Sequence, residues 1–309
     1  MNNDRVYDMI VIGGGPAGYT AALYGARAGL RTLIIEKLSP GGQMALTHQI
    51  DNYPGFDEGI DGFELAEKMQ RQAERFGAET EYAEVQKLDL TAEPKTVKTS
   101  EGVFLGKTVI FAAGAVPRKL GIEKENELTG RGVAYCAACD GMFFKGKTVA
   151  VVGGGNSAAA DAMILSRIAK KVLLIHRRDT LRATKIYHEP LMAAENIEFY
   201  WNSEVAELLS EEKLTGLRIK NLVTGAEDKA ECDGVFISVG REPSTELVKG
   251  QLNLDPSGYV VAGETTETNI PGVYAAGDVR TKRLRQVVTA VADGAAAVHM
   301  AERYLAERV

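Results

Sequence analysis

Two of the chain's three cysteines, Cys136 and Cys139, stand two residues apart in the stretch AYCAACDGMFF, Ala134 to Phe144. The acid Asp140 follows directly. Four chemistries use a pair spaced like this. A zinc site needs a second ligand pair, and neither Cys232 nor the histidines His48, His176, His188 and His299 have the spacing to supply one. A structural disulfide closing so short a loop is an odd use of two cysteines, and inert buried thiols do not call for the spacing. A redox-active pair does. Thiolate attack on a disulfide forms a mixed disulfide, and a second thiol nearby resolves it. A turn or helix start between the two permits ring closure and lowers a thiol's pKa. Proton transfer then needs an acid–base group, and Asp140 is adjacent.

Electrons for such a pair come from a donor, and a repeat in the chain supplies the place for one. YDMIVIGGGPAGYTAALYGARAGLRTLIIEK, Tyr7 to Lys37, reads as an apolar strand, a glycine turn, a small-residue helix and a second strand. Gly13, Gly15 and Gly18 fill the three positions of a dinucleotide fingerprint, with Pro16 and Ala17 inside the turn. KTVAVVGGGNSAAADAMILSRIAKKVLLIHRR, Lys147 to Arg178, repeats the unit with Gly153, Gly155 and Ala158, and with Asn156 and Ser157 between them. The first glycine permits the tight turn, the second lets a pyrophosphate approach, and the small third residue lets helix and strand pack closely. The helix N-terminus then offers free N–H groups to the phosphates. One such motif is weak evidence; two in full strand–helix–strand context are not explained by glycine turns alone. Both halves also close on an apolar strand followed by Gly-x-x-Pro: KTVIFAAGAVPR, which contains Ala113 and Gly114, and CDGVFISVGREP.

The two sites differ at one informative place. Glu36, beside Lys37 at the end of the second strand, is positioned to take ribose hydroxyls. The same offset in the second half lands on His176, followed by Arg177, Arg178 and, nearby, Arg182. Removing the acid and adding guanidinium groups accommodates a ribose 2′-phosphate; the plainer alternative is a solvated basic face. The second site is therefore assigned to NADPH. A hydride donor needs an acceptor, which makes FAD a better candidate than NAD for the first.

The elements that position these residues point to an α/β protein with two Rossmann-like nucleotide-binding domains, the first discontinuous. A length of 309 residues suits two domains of about 150 each. Residues 1–117 and 245–309 are expected to form the first and 118–244 the second, because the tail beyond Pro243 follows a half that already has its closing strand. Phe63, Ala66, Met69, Ala73 and Phe76 recur at helical spacing and read as core. The formal net charge of −6, with no long basic run, speaks against a general nucleic-acid partner. No apolar run reaches the ~18 residues that would cross a bilayer. No secretion signal is evident at the N-terminus, and three cysteines are too few for a secreted disulfide scaffold. A cytoplasmic protein is expected.

Further motifs carry a family resemblance. ETNIPGVYAAGDV, with Gly277 and Asp278, resembles the second flavin motif of the pyridine nucleotide–disulfide oxidoreductases. GGQMALTHQIDNYPGF, with Gly42, Gln43 and Asn52, is similar to that family's flavin-contacting loop. With GGGPAG, CAACDG, GGGNSAAADA and HRRDTLRA in family order over nearly the full length, the chain resembles the bacterial-type low-molecular-weight thioredoxin reductases. The resemblance implies that Asp278 holds the ribityl chain and that a helix starting near Arg285, Gln286 and Val287 points at the flavin pyrimidine. It implies that Cys139 faces the flavin, Cys136 attacks the partner's disulfide and Asp140 is the acid. It also implies a thioredoxin partner docking on Phe143 and Phe144 with Arg131, a homodimer, and rotation of the smaller domain about Pro117–Lys119 and Arg241–Ser244. Tyr135 and Ala138 depart from the usual pattern, in which a small residue and a threonine stand there. A dithiol oxidase or a ferredoxin-fed reductase would not need GGGNSA and HRR. An enzyme of the ferredoxin–NADP reductase kind would lack CAAC, and a nucleotide sensor would turn over no disulfide.

Overall fold

β1 (Val6–Ile12) enters a glycine turn, leaves it as α1 (Pro16–Arg27) and returns as β2 (Thr32–Glu36). The computed structural model of the chain describes residues 5–47 and 49–308, so His48 lies outside it. β1 is buried along most of its length, as expected of a strand covered on both faces. Pro16 opens α1, where its missing N–H costs nothing. The chain continues through α2 (Gly62–Arg75), β3 (Glu79–Tyr82), β4 (Val85–Asp89), β5 (Lys95–Thr99) and β6 (Val103–Phe111). Across the sheet the order is β3-β2-β1-β6-β5-β4, with β2 and β6 both parallel to β1.

After β7 (Ala115–Pro117) a second nucleotide-type unit follows. It holds β8 (Val133–Ala134), α3 (Ala137–Asp140), β9 (Thr148–Val152), α4 (Asn156–Ser166), β10 (Lys171–His176), α5 (His188–Ala193) and β11 (Ile197–Trp201). An antiparallel sheet of β12 (Ser203–Ser210), β13 (Leu214–Asn221) and β14 (Glu227–Glu231) precedes β15 (Gly234–Ile237). The parallel sheet runs β11-β10-β9-β15-β8. β16 (Arg241–Pro243) pairs with β7, so the two connecting segments form a ribbon of their own. The tail then rejoins the first sheet. β17 (Val273–Ala275) runs parallel to β6, and α6 (Val287–Ala306) buries Ala290, Ala297 and Ala301 in one cluster with Tyr19 and Ala21 of α1. Two units result, Met1–Val116 with Glu242–Val309 and Pro117–Arg241.

The stripe on α2 is only partly core. Ala66 and Ala73 are buried and Met69 packs beside them, but Phe63 and Phe76 are 44% and 42% exposed. α2 ends at Arg75, so Phe76 leaves the helical register and lies under the Arg27 and Arg75 guanidinium groups. Leu65, off the stripe, is buried instead. Among the described residues, no helix is long and apolar enough to cross a membrane.

Close packing of α1 on β1 explains the third fingerprint glycine. A Cβ on Gly18 would stand 1.8 Å from the Gly13 carbonyl oxygen, whereas one on Gly15 would meet nothing within 4 Å. Gly18→Ala is therefore expected to cost about 1–3 kcal/mol in chemical denaturation, and Gly15→Ala less than about 0.5 kcal/mol. Equal losses in the two variants would refute this packing account.

Candidate active site

Cys136 and Cys139 are joined as a disulfide, with their Cα atoms 5.3 Å apart. The local fold makes that possible. Cys136 caps α3, and its carbonyl accepts from the amides of Cys139 at 3.2 Å and Asp140 at 3.0 Å. One turn of backbone thus brings both sulfurs and the carboxyl of Asp140 onto the same short segment. Burial pushes Asp140 up to about 6, which suits a group that exchanges a proton near neutrality. Cys232 is different. It is buried among Leu217, Ile219 and Val235, and burial pushes its thiol up to about 12. It stays a packing residue.

Two neighbours of the pair were not singled out from sequence. Glu125 is only 2% exposed, and its carboxylate accepts from the amides of Leu120 and Gly121 and from the Tyr135 hydroxyl at 2.8 Å. In the charged string KENELTG nothing marks it as buried; the bulky Tyr135 before Cys136 was the available hint. Asp161 of α4 accepts from the Ala137 amide. The apolar surface after the pair also shifts by one residue. Phe144 packs edge-on against Phe236 with ring centres 5.3 Å apart, so the exposed pair is Met142 and Phe143, 55% and 42% exposed. Arg131, expected as the charged contact, is exposed.

In the second unit, Gly155 caps α4 and a Cβ there would meet nothing within 4 Å. Asn156 and Ser157 are exposed in the first turn, and Ala158 is fully buried against the strand. The segment after β10 is stitched along this turn. The amides of Arg182 and Ala183 donate to the Gly154 carbonyl at 2.7 and 3.0 Å, and Thr184 N–H donates to Asn156 Oδ1 at 2.8 Å. Arg177, Arg178 and Arg182 thereby stand exposed beside the glycine turn that starts at Gly153. His176 belongs to the floor rather than the cationic set. It is 4% exposed, and burial followed by the nearby arginines holds its pKa below the usual value, so the ring is neutral. A Cβ on Gly154 would come within 2.2 Å of that ring. His176 Nε2 has no hydrogen-bond partner among the described residues, a buried polar atom that a bound group would satisfy.

In the first unit Glu36 holds the place that His176 holds in the second. Its Oε2 accepts from Gly14 N–H at 2.7 Å and its Oε1 from Leu38 N–H at 3.1 Å. Gly41 N–H donates to the Gly14 carbonyl, which brings Gly42 alongside Gly15; Gln43 is exposed next to it. Ala17 and Gly18 are buried behind Pro16. Lys37 lies at the surface, 2.6 Å from Glu84. Ala113 and Gly114 are half-buried after β6. Asn52 Nδ2 donates to Gln286 Oε1 at 3.0 Å, and Gln286 caps α6 at Val287. Arg285 lies over the Tyr259 ring, 4.0 Å from its centre.

Gly277 is held by an acid that sequence reasoning missed. Asp293 of α6 accepts from Gly277 N–H at 2.9 Å and from Lys282 at 2.8 Å, and it pairs in bidentate fashion with Arg280 at 2.9 and 2.7 Å. Burial alone would raise its pKa, but Arg280 and Lys282 outweigh that and hold it below the usual range. A lone acid in the helix ADGAAAV carries little signal. Arg280 and Lys282, closing the motif GDVRTK, were the clue.

Burial lifts Asp140 from 3.8 to about 6, so the folded chain holds that proton more tightly than the unfolded chain. Stability is therefore highest below the unfolded value and falls as pH rises through about 6. Asp140→Asn removes this cost. Its unfolding midpoint should exceed the parent's at pH 8, with the gap closing at pH 4; a gap of equal size at both would contradict a raised pKa.

The model of the pyridine nucleotide-disulphide oxidoreductase family matches residues 7–294. A thioredoxin reductase of Streptomyces clavuligerus is 50% identical over 304 residues, 97% of this chain and 94% of that one. One from Bacillus subtilis is 44% identical over 308 residues, 99% and 97% of the two chains. The crystal structure of thioredoxin reductase from Streptococcus pyogenes MGAS5005 is similar with a TM-score of 0.90 and 45% identity, covering 99% of this chain and 100% of that one. Doubled glycine cradles, the redox turn and these full-length likenesses agree: the chain belongs to the pyridine nucleotide-disulphide oxidoreductase family.

Proposed function

We propose that this protein is an NADPH-dependent thioredoxin-disulfide reductase working through Cys136 and Cys139. The observation that carries the reading is a disulfide on a cysteine-capped turn, in a unit with its own dinucleotide cradle and in a chain with a second one. On this reading residues 1–117 and 245–309 bind FAD, and residues 118–244 bind NADPH.

The cradles fit those groups. Open space at Gly15 and Gly155 admits a pyrophosphate to the starts of α1 and α4. Glu36 offers a carboxylate to ribose hydroxyls, while Arg177, Arg178 and Arg182 offer guanidinium groups to a 2′-phosphate. Gly42, Gln43, Asn52, Asp278, Arg285, Gln286 and Val287 are the proposed holders of the flavin portion. Bound there, FAD supplies a two-electron acceptor that links a hydride donor to a disulfide.

The protein's own residues do the rest. Opening the Cys136–Cys139 bond takes two electrons and, to give two thiols, two protons; Asp140 is the nearby group able to pass one. The Cys136 thiolate then attacks the thioredoxin disulfide, breaking its S–S bond, forming a mixed disulfide and expelling one partner thiolate. Cys139 attacks the Cys136 sulfur, releases the second partner thiolate and restores the original disulfide. Met142 and Phe143, with Arg131, form the proposed docking surface. A cytoplasmic homodimer completes the proposal on family resemblance and cysteine usage.

Anaerobic mixing with NADPH should bleach the flavin absorbance rapidly, and NADH should not. Bleaching by neither would leave a flavoprotein fed by another donor. Cys136→Ser and Cys139→Ser should each abolish thioredoxin reduction yet keep NADPH-driven bleaching; its loss would count against the assigned roles. Arg177→Ala with Arg178→Ala should weaken NADPH roughly tenfold or more, as expected for lost charge-assisted phosphate bonds, and leave NADH nearly unchanged.

A further inference from the structure

Asp161 lies on α4, packed against the redox turn. Its Oδ1 accepts the Ala137 N–H at 3.3 Å, and its Oδ2 accepts the Ser238 hydroxyl. Ser238 is 8% exposed just beyond β15, and its own N–H is bonded to the Val152 carbonyl. The carboxylate is therefore anchored to the end of the second sheet. Ala137 directly follows Cys136 and opens α3, where an amide has no partner within the helix. Open amides of that kind attract negative charge. Here the first of them is occupied by a carboxylate.

We propose that Asp161 is a positioning residue for the redox pair: hydrogen-bonded to the amide that follows Cys136, it sets a negative charge one residue from that sulfur and so makes the reduced pair a stronger reductant. This deepens the reductase reading and rests on it. Reduction breaks the S–S bond, takes an electron pair from the hydride donor and leaves one thiol and one thiolate after uptake of one proton. Stabilising that thiolate favours the reduced form and makes a pair oxidising; destabilising it has the opposite effect. A pair that must reduce another protein's disulfide gains from the second arrangement. Asp140 shares α3, and Tyr135, just after β8, donates its hydroxyl to Glu125. Arg241, at the start of β16, is the cation that favours the Asp161 charge, against burial that pushes its pKa up.

Asp161→Asn keeps an acceptor for Ala137 and removes the charge. In the flavin-loaded protein, the pH dependence of Cys136 alkylation by iodoacetamide should shift down by about one unit. In a glutathione buffer the dithiol–disulfide equilibrium should move about tenfold toward the dithiol, or ~30 mV. Ser238→Ala keeps the charge and should leave both readouts above pH 7 at the parent's values. No shift in Asp161→Asn, or equal shifts in both variants, would overturn the proposal. Neither readout uses NADPH or thioredoxin, so this inference can fail while flavin bleaching still upholds the reductase, and the reverse.

Discussion

Everything in this fold depends on backbone amides being left open at the starts of two helices. A phosphate can reach them only if no side chain intrudes, and the helix can approach its strand only if the crossing residue is small. The 1.8 Å between a Cβ on Gly18 and the Gly13 carbonyl shows how little room there is. The second unit meets the same constraint with a fully buried alanine at Ala158. The small residues of α1 and α4 meet that constraint, and alanines of α6 pack into one cluster with α1.

On this shared frame, one position sets the two cradles apart. Glu36 and His176 both sit against the middle glycine of their turns. One is a carboxylate bound to the Gly14 amide; the other is a neutral imidazole beneath exposed arginines. A negative charge favours hydroxyl donors, and its removal beside guanidinium groups favours phosphate. The two cradles thus differ in charge at one equivalent position.

The smaller unit also gathers one buried and two half-buried carboxylates around its redox turn. Glu125 satisfies two amides and Tyr135 in the segment leading to Cys136. Asp161 ties Ala137 to Ser238, and burial raises the Asp140 pKa to about 6. Burial costs such groups their charge unless partners compensate. In the larger unit, Asp293 with Arg280 and Lys282 follows the same rule, braced so that the loop at Gly277 keeps its shape.

Features that depend on local spacing were readable in the sequence. Glycine turns between apolar runs, a CxxC followed by an acid, and arginines in place of the ribose acid are short-range patterns, because a turn or a phosphate contact is made by neighbours along the chain. These carried the doubled α/β architecture and the redox pair. Features that depend on distant partners were not. Asp293 meets Arg280 across a loop, Glu125 meets Tyr135 across a strand entry, and Asp161 meets Ala137 between two helices. Phe76 and Phe144 look alike in sequence, yet one lies at the surface under two arginines and the other packs on Phe236. Burial and the pairing of buried charge are properties of packed neighbours, and only the tertiary structure decides which neighbours a residue has.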